Sequence, residues 1–282
     1  MLPSRGGSVD TTALTKDTVL CISLAGRPSS IGTRFHNHLY AQLGLDFVYK
    51  AFTTSDLAAA VAGIRGLGIR GCGVSMPFKE QVIDLVDSLD DSARAIASVN
   101  TIVNDDGHLR AYNTDYLAIV ALVSARGPGP SAPFAVLGSG GMARAVVAAL
   151  RHLGHESGTV VSRNATTGRA LAEQYGYTWS PSLGGNRPEL LVNATPVGMA
   201  GGPDEARLAF APAAVDSARA VLEVVAMPEQ TPLVRRARAA GIPVITGSDV
   251  IALQAAEQFA LYTGVRPSPD QLARAAAFSR GG

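Results

Sequence analysis

The sequence predicts an α/β protein of two domains, and three observations predict it. Short apolar runs alternate with alanine- and leucine-rich stretches of helical period through most of the chain. A Pro/Gly-rich break, Gly127-Pro-Gly-Pro-Ser-Ala-Pro133, divides it near the middle. Directly after the break comes Phe134-Ala-Val-Leu-Gly138-Ser-Gly140-Gly141-Met142, a strand-like run that turns through glycines into a helical Ala/Val run ending near Leu150. With 282 residues, the chain can bury two cores, and strands alternating with helices favour mostly parallel sheets.

In order, residues 18–23 read as a first strand and 26–32 as a loop. A helix follows from about Thr33 to Gly44, with Phe35, Leu39 and Leu43 on one face. Phe47 to Phe52 alternates as a second strand, and Ser55-Asp-Leu caps a helix running to about Gly66. Residues 69–75 form a third strand, which Met76-Pro77-Phe78 turns into a helix bearing Val82, Leu85, Val86 and Leu89. Residues 98–104 and 108–112 are arms of a hairpin closed by an Asp-Gly turn, and the helix after Asn113-Thr-Asp115 runs to about Arg126, with Asp115 just before it. Beyond the break, strands are expected at 134–137, 158–161, 189–194, 220–225 and 242–245. Residues 250–261 and 269–278 are helical and have no strand of their own, so they are expected to pack back on the N-terminal part. The expected domains are therefore 1–116 with 250–282, including a polar tail over 1–17, and 117–249.

Composition excludes several classes. Hydrophobic residues at 47% and charged residues at 17% argue against disorder, and a net charge of +1 supplies no basic surface for nucleic acid. No apolar run approaches the roughly 20 residues of a membrane span, and the first 17 residues lack the apolar core of a secretion signal. Cys21 and Cys72 sit among apolar or glycine neighbours and read as reduced and buried, hence a cytoplasmic protein. His36 and His38 do not share a helix face, so they make no metal pair; His36 is a candidate for lining a substrate pocket, and Asn37 reads as helix surface.

The candidate chemistry begins at the glycine turn. Gly138 permits a sharp turn, while Gly140 and Gly141 leave space for a diphosphate at the positive end of the following helix; a structural turn is the alternative. The next strand ends at Ser162-Arg163, roughly 20 residues on, where a carboxylate would bind the ribose of NAD. Arg163 suits the extra phosphate of NADP instead, unless it is merely a solvated arginine. Lys79 follows a strand end and can exchange a proton, as carbonyl/alcohol chemistry requires, or be an ordinary helix lysine. Lysine occurs only at 16, 50 and 79, so the chain uses arginine where charge alone matters. Asp115 reads equally as a helix cap, and Asn100 and Asn113 as ligands of a hydroxyl or as hairpin backbone partners.

Taken together, Met-Pro-Phe-Lys79-Glu80, Ser98-Val-Asn-Thr101, Asn113-Thr-Asp115, Gly138-Ser-Gly-Gly141, Asn193-Ala-Thr-Pro-Val-Gly-Met199 and Gly247…Gln254 resemble the shikimate/quinate dehydrogenase superfamily. Leu24-Ala-Gly-Arg-Pro-Ser29, Tyr49-Lys-Ala-Phe-Thr-Thr54 and Glu223-Val-Val-Ala-Met-Pro228 are similar to runs of its shikimate dehydrogenase-like branch. The resemblance implies an N-terminal α/β substrate domain, a Rossmann-type dinucleotide-binding domain and a cleft between them. It implies NADP in preference to NAD, a small hydroxylated ring carboxylate as partner, and a monomer or homodimer. Lys79 and Asp115 become the catalytic pair; Ser30, Ser75, Asn100 and Gln254 become substrate ligands. Gly138, Ser139, Gly140, Gly141, Met142, Ser162, Arg163, Asn193, Thr195 and Gly198 become the cofactor set.

Departures from the family pattern matter too. Gly32 stands at the second carboxylate-binding serine, with Thr33 adjacent; Ala226 replaces a tyrosine that also reaches the carboxylate; Gly73 replaces an asparagine; Thr167 replaces a second basic residue. Each lost hydroxyl donor costs about 1–3 kcal/mol, so shikimate is expected to bind weakly and a related ring compound to compete for the role of substrate. The implied reaction is reversible hydride transfer between shikimate, or a close analogue, and its 3-dehydro ketone. Quinate- or aminoshikimate-type dehydrogenation and a non-catalytic metabolite or cofactor sensor are the alternatives.

Overall fold

Which residues end each element decides where the candidate side chains stand. The computed structural model describes residues 14–280. Of the tail expected over 1–17, residues 1–13 lie outside the described ones and 14–17 are exposed. The chain divides into two units: the described residues up to Asn113 together with those from Ala255, and Thr114–Gln254.

The first unit runs β1 (Val19–Leu24), α1 (Ser30–Leu43), β2 (Phe47–Phe52), α2 (Leu57–Gly66), β3 (Gly71–Val74), α3 (Phe78–Gln81), β4 (Ser88–Leu89), α4 (Asp91–Ile96), β5 (Thr101–Asp105) and β6 (His108–Tyr112). Its sheet has the order β2-β1-β3-β5-β6-β4, with β1, β2 and β3 parallel and β5 antiparallel to both its neighbours. Strand alternation sorts β1 onto two faces: Ile22 and Leu24 pack with Val61, Ile64 and Val74, whereas Cys21 packs with Phe35, Leu39 and Tyr49. Local signals act as expected at two places. Asp56 Oδ1 accepts Ala59 N–H at 2.9 Å to start α2. Asp106 (φ 51°) and Gly107 (φ 92°) close the hairpin with the positive φ pair that a two-residue turn of this hand requires.

Three expectations need correction. Helix α1 starts at Ser30, with Ser29 in extended backbone before it, so Ser30 and Gly32 belong to its first turn and not to a loop. The long helix after Phe78 does not form. A single turn, α3, is followed by a 3₁₀ turn at Ile83–Leu85, and Val86 is extended. Asp87 Oδ2 then accepts Leu109 N–H at 2.7 Å and Arg65 Nη1–H at 2.6 Å, Ser88–Leu89 pair with β6, and the Asp90 side chain accepts Ser92 N–H to begin α4. Asn37 is not surface: its amide bonds Tyr49 O at 2.9 Å and Tyr49 N at 2.8 Å, fastening α1 to β2.

The second unit holds α5 (Thr114–Arg126), β7 (Phe134–Leu137), α6 (Gly141–His152), β8 (Gly158–Val161), α7 (Ala165–Gln174), β9 (Thr178–Ser180), β10 (Leu190–Asn193), α8 (Pro212–Asp216), β11 (Ala220–Glu223), α9 (Pro232–Ala239) and β12 (Val244–Ile245). All six strands are parallel, in the order β12-β11-β10-β7-β8-β9. Counted from β7 this is 6-5-4-1-2-3, the doubly wound order of dinucleotide-binding sheets, whose direction reverses between β7 and β10. The α/β class read from the sequence is the class of the fold. Last come α10 (Gly247–Thr263), which runs through the unit boundary, and α11 (Pro269–Arg280), whose Ala275 and Ala276 pack with Phe35 and Leu39. No helix among the described residues is long and apolar enough to cross a membrane.

Candidate functional site

In the second unit the site grows from the end of β7. Gly138 has φ 120°, and a Cβ there would lie 2.8 Å from Ala194 O and 3.1 Å from Thr195 Cγ2. The loop after β10 therefore packs directly on the glycine turn. Gly140 precedes α6 with no side-chain cap, and a Cβ at Gly140 or Gly141 would meet no atom within 4 Å. Backbone N–H groups at the start of α6, with open space in front of them, suit a diphosphate.

Ser139 Oγ lies 2.7 Å from Thr167 Oγ1, which ties the glycine turn to the first turn of α7. Arg163 stands exposed just before α7, next to its cap Asn164, whose Oδ1 accepts Thr167 N–H at 3.1 Å. Ser162 is buried and turned inward: its hydroxyl donates to Asn164 O at 2.9 Å and accepts Trp179 Nε1–H at 3.1 Å. Its contribution is to hold the turn that presents Arg163. The residues present fit a dinucleotide with an added ribose phosphate.

Asn193 and Thr195 are likewise organisers of the loop. Asn193 Nδ2 donates to Val197 O at 3.0 Å and to Glu223 Oε1 at 2.8 Å, while its Oδ1 accepts Thr195 Oγ1–H at 2.6 Å. Gly198 lies farther along the loop, where a Cβ would lie 3.2 Å from Thr231 Cβ.

Sequence reasoning assigned no role to Glu223, the last residue of β11, although a carboxylate ending a buried apolar strand is itself a signal. It is fully buried; Oε1 also accepts Val225 N–H at 3.0 Å and Oε2 accepts Thr231 Oγ1–H at 2.9 Å. It thus fastens the loops after β10 and β11. Burial pushes its carboxyl up from 4.5 to about 7, against the donors around it. Because the folded value is the higher one, the associated stability is full below pH 4.5 and is lost as pH rises through about 7. A shift of this size corresponds to ~3 kcal/mol. Wild type is therefore expected to lose several degrees of Tm between about pH 5 and pH 8 that Glu223→Gln keeps. Parallel Tm curves for the two proteins would show that the carboxyl ionises normally.

In the first unit the candidates gather where β1 and β3 end and β5 begins. Ser75 N–H donates to Leu24 O at 2.9 Å, Val74 N–H to Asn100 O at 2.7 Å, and Val99 N–H to Lys79 O at 2.8 Å. Ser75, Lys79 and Asn100 are thereby fixed around one sheet end. Gly26 N–H donates to Met76 O at 2.9 Å, which draws in the loop leading to exposed Ser30. Lys79 is half-buried in α3, which is rooted by buried Phe78 and followed by fully buried Val82. Asn113, by contrast, is structural, its Nδ2 holding Ser98 O at 2.9 Å.

Asp115 lies inside the first turn of α5, not before it, and is half-buried there. Gln254 stands on α10, one helical turn ahead of Gln258. His36 does not line a pocket: it is 1% exposed, stacked on Tyr49 at a ring distance of 4.4 Å, and burial lowers its pKa to about 3. Cys21 and Cys72 are free thiols, both buried. Among the described residues no group of three or more His, Cys, Asp or Glu could hold a metal ion.

Comparison with known proteins gives the same outline. Residues 27–102 match the family model of the shikimate dehydrogenase substrate binding domain. A shikimate dehydrogenase-like protein of Haemophilus influenzae is 54% identical over 267 residues, 95% of this chain and 98% of that one. A shikimate dehydrogenase (NADP(+)) of Citrifermentans bemidjiense is 35% identical, over 84% of this chain and 87% of its own. The crystal structure of shikimate 5-dehydrogenase from Thermus thermophilus, in complex with NADP(H) and shikimate, superposes with a TM-score of 0.81 at 32% identity, covering 93% of this chain and all of that one (100%).

Proposed function

This chain belongs to the shikimate/quinate dehydrogenase superfamily, in its shikimate dehydrogenase-like branch, and from that premise we propose that it is an NADP-dependent oxidoreductase. It interconverts shikimate, or a close ring analogue, and the 3-dehydro ketone. The reading is carried by the glycine turn at the reversal of strand order, in a chain that also holds the family's lysine at 79. NADP, when bound, accepts the hydride in oxidation, and NADPH supplies it in reduction.

In this proposal the second unit is the dinucleotide domain. Gly138, Ser139, Gly140, Gly141 and Met142 receive the diphosphate at α6, and Arg163 reads the ribose phosphate on a turn braced by Ser162. Asn193, Thr195 and Gly198 shape the nicotinamide side. The first unit, with Ser30, Ser75 and Asn100, takes the ring acid, and Gln254 adds a polar contact. Lys79 donates a proton to the developing alkoxide in reduction and removes it in oxidation, with Asp115 as the second member of the catalytic pair. Gly32 and Ala226 remove two hydroxyls that relatives aim at the carboxylate, so shikimate is bound weakly and a related ring acid competes for the role of substrate.

The test is turnover of shikimate, quinate and an aminoshikimate-type acid with NADP+ and with NAD+, read by reduced-nicotinamide absorbance. Hydride transfer with at least one acid supports the proposal. Ligand binding with no transfer to any acid replaces it with a sensor. Arg163→Ala is expected to weaken NADPH about 10- to 100-fold, the loss of charge-assisted hydrogen bonds to the phosphate, and to leave NADH nearly unchanged. Equal losses for both would remove Arg163 from phosphate recognition.

A further inference from the structure

A buried line of hydrogen bonds in the first unit runs from Gln258 through Thr101 to Asn100. Gln258, 7% exposed, lies 3.1 Å through Nε2 from Asn100 O and 2.9 Å from Thr101 Oγ1. A backbone carbonyl only accepts, so the atom facing it must be the Gln258 NH₂ group. Thr101 Oγ1, already accepting from Gln258, has one proton to give, and it goes to Asn100 Oδ1 at 2.9 Å.

The asparagine that the family carries two residues before Ser75 is replaced here in a way that makes room for this line. A Cβ at Gly73 would lie 2.8 Å from Tyr49 Oη and 3.5 Å from Gln258 Nε2. Tyr49, stacked on His36, occupies the space. Asn100 itself is 2% exposed, and its backbone is pinned on both sides, N–H to Tyr112 O at 3.0 Å and O to Val74 N–H at 2.7 Å.

We propose that Thr101 and Gln258 are positioning residues that lock the Asn100 amide with its oxygen turned to Thr101, so that Asn100 meets the ring acid as a hydrogen-bond donor. The inference rests on the proposed function, and it adds a selectivity: the ring must offer an acceptor oxygen at that position. A ring that offers only a donor there, such as an ammonium group, is disfavoured.

Thr101→Val keeps the shape and removes the hydroxyl; Gln258→Met removes the next link. Each is expected to raise KM for shikimate about tenfold, with kcat within about threefold and KM for NADP+ unchanged. In an Asn100→Ala background Thr101→Val is expected to add less than twofold, because Thr101 acts through Asn100. Full additivity, or no rise in KM in the wild-type background, would overturn the proposal. A measurement on the ligand-free protein stands apart from turnover. The Asn100 side-chain NH₂ is expected as one sharp pair of ¹⁵N-correlated resonances in wild type and as a shifted, exchange-broadened pair in Thr101→Val. Identical spectra would overturn the lock. Failure of all ring acids to turn over, with the spectral change present, would sink the enzyme reading and leave the lock standing.

Discussion

Lys79→Ala is expected to slow NADP+-dependent oxidation of the ring acid by ~10²–10⁴ in kcat, the range of a lost general acid/base. The size of the effect follows from where the side chain is rooted. Helix α3 is a single turn, yet it is held by Phe78 N–H to Ser75 O at 2.9 Å, by Val99 N–H to Lys79 O at 2.8 Å, and by burial of Phe78 and Val82. None of those anchors uses the lysine side chain, so truncation should remove chemistry without moving the backbone, and Tm should stay within a degree or two of wild type. Lys79→Arg sharpens the test. It keeps a positive charge but offers a guanidinium that does not give up its proton near neutral pH, so it is expected to remain as slow as Lys79→Ala. Recovery by arginine would mean that position 79 acts by charge alone. Turnover of Lys79→Ala within about tenfold of wild type would end its assignment as the proton-transfer group.

The parts of this molecule that were readable in advance are those that short-range physics decides. Asp56 needs only its neighbour three residues on to cap α2, and Asp106-Gly107 needs only positive φ to close the hairpin. The glycine turn after β7 was legible for the same reason. Residues 78–96 were not. Val82, Leu85, Val86 and Leu89 have helical spacing, but Asp87 is claimed by Arg65 and by Leu109 N–H across 22 residues in sequence each, and Leu89 pairs with Ala111 on β6. Distant partners outweigh a modest local preference there. Strand β9, three residues at the sheet edge, has too little pattern to be seen.

The candidate site divides in the same way. Glycines, Lys79 and Arg163 announce themselves by residue type and position. Glu223, Gln258 and Thr101 do not, because their work is to satisfy other polar groups in the interior, and that need is visible only once the chain has folded. His36 was misplaced for the converse reason. A histidine beside a candidate substrate loop looks functional, whereas in the fold it is one ring of an aromatic cluster with Tyr40, Tyr49, Phe259 and Tyr262.

Gly138→Ala and Gly140→Ala should separate two uses of glycine within one turn. At Gly138 the backbone has φ 120°, and the new methyl would sit 2.8 Å from Ala194 O, a main-chain atom of the loop held by Asn193 and Glu223. A residue with a side chain in such a conformation costs about 1–3 kcal/mol before any contact is counted, and the carbonyl cannot move without disturbing its network. Gly138→Ala is therefore expected to lower Tm by several degrees and to weaken NADPH about 100-fold or more, since the turn that aims the α6 N–H groups would be displaced. At Gly140 the backbone is extended, φ −85° and ψ −171°, and a methyl would meet no protein atom within 4 Å. Gly140→Ala should leave Tm unchanged and still weaken NADPH tenfold or more, because the space it fills is the space the diphosphate needs. Calorimetric affinity and thermal unfolding on the two variants give the answer together. If Gly140→Ala binds NADPH as tightly as wild type, the open face of the turn is not where the dinucleotide lies, and the assignment of the second unit fails with it.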